Sequence, residues 1–310
     1  MTSQIRNILN LLRVRQYYKN LMIFVGVFFS ENLFETSLYF NLIIGFILLC
    51  CASSFNYIIN DIRDIENDRR HPEKLRKKPL ASKELPLFFA ILLLIILSMI
   101  MVLSLIFLIP NLGFIFTIVL IIITGQLYNY LFKNYTFIDI LILSTGYLWR
   151  ALAGCAIIQE YVSAWLFLAI FEIALFLSIA KRKGDLTLLG KDKAVKHKKV
   201  YDQYSIKLLD QFYVMIASSL FMTYSLYLIL RFNLLILESV KLYEYIAIFT
   251  IPISLYIIMR FMYLTSAKPE IARNTERAFL DKGIIIGGLL LIGILFYSFY
   301  FDKIVEILNL

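Results

Sequence analysis

Residues 85–108 read LPLFFAILLLIILSMIMVLSLIFL, 24 positions without one charged side chain. A helix rises about 1.5 Å per residue, so a run of this length crosses the ~30 Å hydrocarbon core of a bilayer. The apolar residues are continuous rather than alternating with polar ones, which excludes a strand of a membrane barrel. Similar runs recur near 20–36, 38–59, 112–132, 137–158, 161–180, 210–230, 243–264 and 283–301. The expected fold class is therefore all-α, a polytopic membrane protein built as a bundle of about nine transmembrane helices.

Composition agrees. With 310 residues, 60% hydrophobic, and a mean hydropathy of +0.77, the chain has too little polar surface to cover a soluble globule of its size. The net charge of +9 does not point to nucleic acid, because the basic residues sit in short loops between apolar runs and not on one soluble face. The lipid bilayer is the expected partner. Cys50, Cys51 and Cys155 lie inside apolar runs, which argues against a disulfide framework or a thiolate zinc site. The N-terminus lacks a compact apolar core followed by small residues, so no cleavable signal peptide is expected.

Residues 1–19 carry Arg6, Arg13, Arg15 and Lys19 without an acid, while Ile5, Ile8, Leu9 and Leu12 fall at helical spacing on one side. That pattern describes an amphipathic helix lying on a membrane surface. The segment 60–84 holds eight Lys or Arg and the segment 181–208 holds nine, whereas 31–37, 109–111 and 159–160 hold none. Positive residues stay cytoplasmic, so the expectation is a multi-pass protein of the inner (cytoplasmic) membrane. Its N-terminus is expected in the cytoplasm and its C-terminus outside, which requires the 20–36 run to cross. No linker or low-complexity tract interrupts the chain, and 1–310 reads as a single domain. The two basic loops follow the second and sixth spans, a faint sign of an internal repeat.

The chemistry concentrates in the first of these loops. Asn60, Asp61, Asp64 and Asp68 read N-D-x-x-D-x-x-x-D directly after an apolar run. At about 100° per residue, the three aspartates fall within about 60° of one another on a helix, and Asn60 widens the arc to about 100°. Three carboxylates on one face repel, and an Asp at mid-membrane costs about 3 kcal/mol on insertion scales. The trio should border water and be neutralised by a cation. Mg2+ fits best, since it takes oxygen ligands and binds through one or two carboxylates together with substrate phosphates. Asp61, Asp64 and Asp68 are the candidate metal ligands. A solvated loop of mixed charge, with Arg63, Arg69 and Arg70 pairing the acids, is the bland alternative.

The run continues Asp68-Arg69-Arg70-His71-Pro72-Glu73-Lys74-Leu75-Arg76-Lys77-Lys78-Pro79-Leu80-Ala81-Ser82. It resembles the first signature of the UbiA superfamily, and more narrowly that of its polyprenyl-phosphate (decaprenyl-phosphate) phosphoribosyltransferase branch, N-D-x-x-D-x-x-x-D-R-x-H-P-x-K followed by a basic residue, proline and a small-residue pair. Arg15-Gln16-Tyr17-Tyr18-Lys19-Asn20 resembles that branch's R-x-Q-W-x-K-N, with Tyr18 near the usual Trp. Tyr128, Lys133 and Asp139 resemble the residues around its turn between the fourth and fifth helices. Arg150-Ala151-Leu152-Ala153-Gly154 resembles its R-A-x-A-G, Lys181-Arg182-x-x-Asp185 its K-R-x-x-E, and Tyr204-Ser205 through Leu209-Asp210-Gln211 its closing Y-S and L-D-Q. Lys78 stands where Arg is usual, Lys83 where Gly is usual and Asp185 where Glu is usual. Arg and Lys differ in bidentate reach to phosphate.

What the resemblance implies is a Mg-dependent transfer of 5-phosphoribose from phosphoribosyl diphosphate to a polyprenyl phosphate, releasing diphosphate. Prenyl-transferring members of the superfamily carry a second acidic motif after the sixth helix. Here that position reads Lys181-Arg182-Lys183-Gly184-Asp185. Joining two anionic substrates needs fixed positive charge as well as metal. Asn60, Asp61, Asp64 and Asp68 are then the expected catalytic set around the diphosphate. Lys19, Asn20, Arg69, Lys74, Lys78, Tyr128, Lys133, Asp139, Arg150, Lys181, Arg182 and Asp185 are the expected substrate-binding residues. An Arg inside a span, such as Arg150, is costly and usually faces a cavity. The acceptor is already an anion, so His71 and His197 need move no proton. Lys191 to Lys199 reads as a lipid or topology patch. A UbiA-type prenyltransferase acting on an aromatic or haem acceptor is the alternative within the superfamily. A membrane transporter is the alternative of another class, and it predicts charge spread over several helices rather than gathered at one end.

Overall fold

The structure is a computed structural model and describes residues 3–69, 75, 78–161, 163–234 and 240–308, apart from the side chains of His197 and Glu276. Most described residues are helical, with no strand among them. The chain falls into two compact units, residues 1–132 with 146–162, and 133–145 with 163–310.

The first unit begins with α1 (Ser3–Leu12) and contains α2 (Thr36–Arg63), α3 (Leu87–Phe107), α4 (Leu112–Tyr130) and the second part of α5 (Ile138–Ile158). The second unit holds the first turns of α5, then α6 (Ala164–Leu189), α7 (Ile206–Arg231), α8 (Thr250–Ala267) and α9 (Lys282–Leu308). Short helical turns at Leu242–Tyr245 and Ile246–Phe249 extend α8 backwards, so residues 242–267 form one apolar stretch. Eight segments among the described residues are long and apolar enough to cross a membrane.

The ninth expected span, 20–36, is not a single α-helix. Val14–Phe24 winds as a 3-10 helix and Val25–Phe29 as one further α turn. A 3-10 helix rises about 2.0 Å per residue against about 1.5 Å in an α-helix, so these sixteen residues still extend over roughly 30 Å. The tighter winding has a local cause. This segment lies against α2 through polar side chains, and its backbone is pressed against α5. A Cβ added at Gly154 would stand 1.8 Å from the Ile23 carbonyl oxygen, and one at Gly26 would stand 2.6 Å from Cys155 Sγ. Only glycine permits either approach.

Buried Leu42, Leu48, Leu49 and Ala52 of α2 meet Ile23 and Val27, Phe114 and Ile118 of α4, and Ala153 and Ile157 of α5. On α1 the inward residue is Leu11, fully buried beside Ile58, while Ile5 and Leu9 stay exposed as an interfacial helix requires. The second unit gathers Leu175, Phe176 and Ile179 of α6, Tyr213 of α7 and Phe261 and Leu264 of α8, with the Phe176 and Tyr213 rings stacked at 4.4 Å. Asp281 caps α9 by accepting from the Gly283 and Ile284 amides and receives a two-pronged ion pair from Arg260.

Candidate active site

Polar side chains of the first unit form a row along one face of α2. From the N-terminal segment, Asn20 donates to Cys50 Sγ at 3.2 Å and accepts from Ser53 at 3.3 Å. Tyr17 shares a 2.8 Å hydrogen bond with Ser54, Gln16 accepts from the Tyr57 hydroxyl at 2.7 Å, and Arg13 pairs with Asp61 at 2.7 Å. The α2 partners Cys50, Ser53, Ser54, Tyr57 and Asp61 recur at three- and four-residue steps, the spacing that puts helix residues on one face. Tyr17, rather than Tyr18, is the ring turned onto α2; Tyr18 is 44% exposed. Arg150 joins the row from α5, donating to Asn20 at 2.7 Å, to Ser53 at 3.2 Å and to its own helix at Gly146.

The row ends at the aspartates. The helix stops at Arg63, Asp64 leaves helical geometry (φ −92°, ψ 8°), and a separate short helix runs Ile65–Arg69. Extrapolating one helical face from Asp61 to Asp68 therefore fails after Asp64. Asp61 and Asp68, 3% and 1% exposed, converge on the Lys78 ammonium, which lies 3.0 Å from one and 2.5 Å from the other. Asp64 turns toward Arg63 instead, at 3.7 Å. Asn60 is half-buried at the end of α2. Arg69 bonds Glu66 at 2.7 Å and the Ala81 carbonyl at 3.4 Å. Arg63 donates to the Asn129 carbonyl and lies over the Tyr130 ring, which ties the end of α2 to the end of α4. Lys19 is half-buried with Gln16 3.4 Å from its ammonium, and Tyr128 is half-buried on α4. Lys74 and His71 lie outside the described residues.

No group of three His, Cys, Asp or Glu side chains among the described residues is close enough to hold a metal ion. The expected trio is a pair here. Two carboxylates already arranged about one cation are nonetheless hard oxygen donors of the kind Mg2+ takes alongside substrate phosphates, and Asp61 and Asp68 fit that ion in donor chemistry.

The second unit has its own buried charge network. Asp139, fully buried at the start of α5, receives the Arg182 guanidinium of α6 at 2.7 and 3.0 Å and the Tyr204 hydroxyl at 2.9 Å. Arg182, 3% exposed, also reaches the Tyr201 hydroxyl at 3.3 Å, and Tyr201 donates to Asp185 at 2.6 Å. Arg273 closes the chain on Asp185 at 3.2 Å. Gly184 makes this possible: a Cβ there would lie 2.7 Å from the Ala272 methyl and the Arg273 amide nitrogen. Burial pushes the Tyr201 and Tyr204 hydroxyls above their ordinary pKa, so both stay protonated and able to donate. Lys198, half-buried on the loop after α6, is driven well below the usual lysine value by burial and by the nearby Arg182 guanidinium. Lys191 holds that loop by donating to the Asp202 and Tyr204 carbonyls. Lys181 is exposed, Lys183 pairs with Asp210 at 2.6 Å, and Lys133 is half-buried.

Among the residues that sequence reasoning passes over are three cations and Tyr201. Arg13 reads as part of a basic surface helix, Arg273 belongs to a loop without a motif, and Lys198 reads as one of a lysine patch. The pairing of Arg13 with Asp61 and of Arg273 with Asp185, and the burial of Lys198, are set by tertiary approach, which local spacing does not encode.

The UbiA prenyltransferase family model matches residues 20–281. The decaprenyl-phosphate phosphoribosyltransferase of Corynebacterium glutamicum is 28% identical over 226 residues, covering 70% of this chain and 65% of the relative, so the chain spans about two thirds of that protein's length. The enzyme of the same name from Mycolicibacterium smegmatis is 27% identical over 229 residues, covering 72% and 70%. Among solved structures, a UbiA homolog from Archaeoglobus fulgidus bound to DMAPP and Mg2+ superposes with a TM-score of 0.65 at 18% identity, covering 94% of this chain and 99% of that one. A digeranylgeranylglyceryl phosphate synthase gives a TM-score of 0.63 at 17% identity, covering 96% and 99%. These structural likenesses speak to the fold. Together with the family match across most of the sequence, they make this chain a multi-pass membrane protein belonging to the UbiA prenyltransferase family.

Proposed function

We propose that the protein transfers 5-phosphoribose from phosphoribosyl diphosphate to a polyprenyl phosphate and releases diphosphate. A lipid phosphate oxygen forms the new bond to the anomeric carbon. The bond from that carbon to the diphosphate oxygen breaks, and its electron pair leaves with diphosphate. The acceptor is already anionic, so the protein supplies no nucleophile and no strong base.

The observation that carries this reading is the state of the K-R-K-G-D stretch. Where prenyl transferases of the superfamily are expected to present acids, this chain has Lys181, Arg182 and Lys183. Its one carboxylate there, Asp185, is already bound by Tyr201 and Arg273. A carboxylate satisfied by a hydroxyl and a guanidinium is a poor second metal site. Cations beside it suit a reaction that brings two phosphate-bearing substrates together. The names of the two relatives support the same substrates.

Asp61 and Asp68, with Asn60 and with Asp64 at the mouth, are proposed to hold Mg2+, which when bound would neutralise the leaving diphosphate. Lys78 holds the two carboxylates together in the protein itself. Lys19, Lys74, Lys133 and Lys181 are proposed to bind phosphate oxygens, with Tyr128 and Arg69 nearby in sequence contributing to the same substrates. Asn20 and Arg150 fix each other on α2, and Asp139, Arg182 and Asp185 form the internal scaffold of the second unit, so these act by positioning. We propose that the N-terminus faces the cytoplasm and the C-terminus the outside of the inner membrane, a reading that the basic loops support.

The test is mass spectrometry of lipids formed by purified protein given phosphoribosyl diphosphate, polyprenyl phosphate and Mg2+. A phosphoribosyl lipid is expected. Turnover of a prenyl diphosphate onto an aromatic acceptor instead would reverse the assignment, and retained turnover after Asp61→Ala with Asp64→Ala would remove the proposed metal site.

A further inference from the structure

We propose that Arg13 is a further residue of this site, a guanidinium that neutralises Asp61 until a divalent cation takes that carboxylate and that then grips the substrate's diphosphate. The inference rests on the phosphoribosyl-transfer reading.

Arg13 and Lys78 meet the same oxygen, Asp61 Oδ1, at 2.7 and 3.0 Å, and Lys78 also reaches Asp68. Two cations thus face two buried carboxylates. Adding a divalent ion to that set overloads it with positive charge, and like charges within a few ångströms disfavour one another. One of the two cations must give way. Lys78 is anchored on both carboxylates, and Arg13 on one. Arg13 also sits in left-handed backbone geometry (φ 53°, ψ 43°), where α1 ends and the 3-10 helix begins. A residue with a Cβ adopts that conformation at a cost. The weaker hold is therefore on Arg13.

Once released, the guanidinium remains local. It lies 4.4 Å over the Tyr57 ring, and that ring is fixed by its own bond to Gln16. With 24% of its side chain exposed, it borders solvent. Its planar fork matches phosphate oxygens in pairs, which a lysine does not. A purely mechanical role, strapping the N-terminal segment to α2, is already served by Tyr17 with Ser54 and by Asn20 with Cys50 and Ser53. Arg13 is the one member of that row whose partner is a carboxylate.

The experiment uses full-length protein in detergent with the wild type, Arg13→Gln and Arg13→Lys. Mn2+ binding is titrated by electron paramagnetic resonance without substrate, and KM and kcat for phosphoribosyl diphosphate are measured separately. Arg13→Gln should bind Mn2+ about tenfold more tightly, because a charge-assisted competitor at Asp61 is gone, and should raise KM for phosphoribosyl diphosphate about tenfold. Arg13→Lys should fall between on both. A strap role predicts that both quantities worsen together or stay fixed. Unchanged or weaker Mn2+ binding in Arg13→Gln overturns the proposal, as does a wild type that binds no Mn2+. If Arg13→Gln does not fold, Arg13→Lys decides by the same two measurements, and unchanged values overturn it. Tightened Mn2+ binding in a protein that forms no phosphoribosyl lipid would sink the reaction assigned above while leaving the competition at Asp61 intact.

Discussion

Asp139→Ala gives the sharpest test of how the second unit is built. The carboxylate is fully buried and receives two contacts from Arg182, at 2.7 and 3.0 Å, and one from Tyr204 at 2.9 Å. Removing it leaves a guanidinium that is 3% exposed without its counter-charge. Breaking a buried pair from one side costs about 3–5 kcal/mol, whereas replacing both partners by apolar groups of similar volume is often neutral. Asp139→Ala and Arg182→Met should each destabilise strongly, and the double variant Asp139→Ala/Arg182→Met should recover part of the loss. The assay is a double-mutant cycle on detergent-purified protein unfolded by titrated SDS. Coupling of about 2–3 kcal/mol is expected for partners sharing one network. Additivity within about 0.5 kcal/mol would refute the reasoning, because it would mean Arg182 does not lean on Asp139.

Gly154→Ala should cost at least about 2–3 kcal/mol, read as a lower thermal midpoint, since the new methyl would stand 1.8 Å from the Ile23 carbonyl oxygen and overpacking against backbone has no cheap relief. Lys78→Met should leave Asp61 and Asp68 facing each other and lower metal-free stability by about 1–3 kcal/mol, with added Mg2+ restoring more stability to this variant than to the wild type. For Lys198 the folded pKa lies below the ordinary value of 10.5, so the unfolded chain binds the extra proton. Stability from this group is therefore lost as pH falls below about 10.5 and regained as pH rises toward it, and Lys198→Met should flatten that part of a Tm-against-pH curve. Lys181→Gln should raise KM for a phosphate-bearing substrate with little loss of stability, the reverse of Arg182→Gln, because Lys181 is exposed and Arg182 is buried on Asp139.

Much of this was legible in the residues. Six of the nine expected spans coincide with long helices to within about four residues, because an apolar run in a bilayer satisfies its backbone by winding into a helix. The ninth coincides at its start but runs seven residues past residue 301. The sixth also begins near its expected start but runs nine residues past residue 180, carrying Lys181 to Leu189 as helix rather than loop. The span at 20–36 and the three-carboxylate face depart from expectation in a shared way. Both assumed uniform α-helical winding, and both segments leave it, one into a 3-10 helix pressed on Gly154 and one into a break at Asp64. Motif spacing located Asp61 and Asp68. It could not show that Lys78, ten residues past Asp68, would bridge them, because that contact depends on how the chain returns after residue 69.

The same distinction separates grip from scaffold among the cations. A sequence displays Arg150, Lys181 and Arg182 as positive charges at or inside spans, with Arg150 marked out by its depth. Their surroundings are not equal. Arg150 spends its donors on Asn20, Ser53 and Gly146, and Arg182 spends its on Asp139 and Tyr201. A guanidinium satisfied on several sides by fixed acceptors gains little by turning to a phosphate, since each new bond replaces one already made. Such a group instead sets where its neighbours stand: Arg150 fixes Asn20 on α2, and Arg182 fixes Tyr201, whose hydroxyl in turn occupies Asp185. Phosphate binding is therefore proposed for cations that border solvent, Lys181 being exposed and Lys19, Lys133 and Arg13 half-buried.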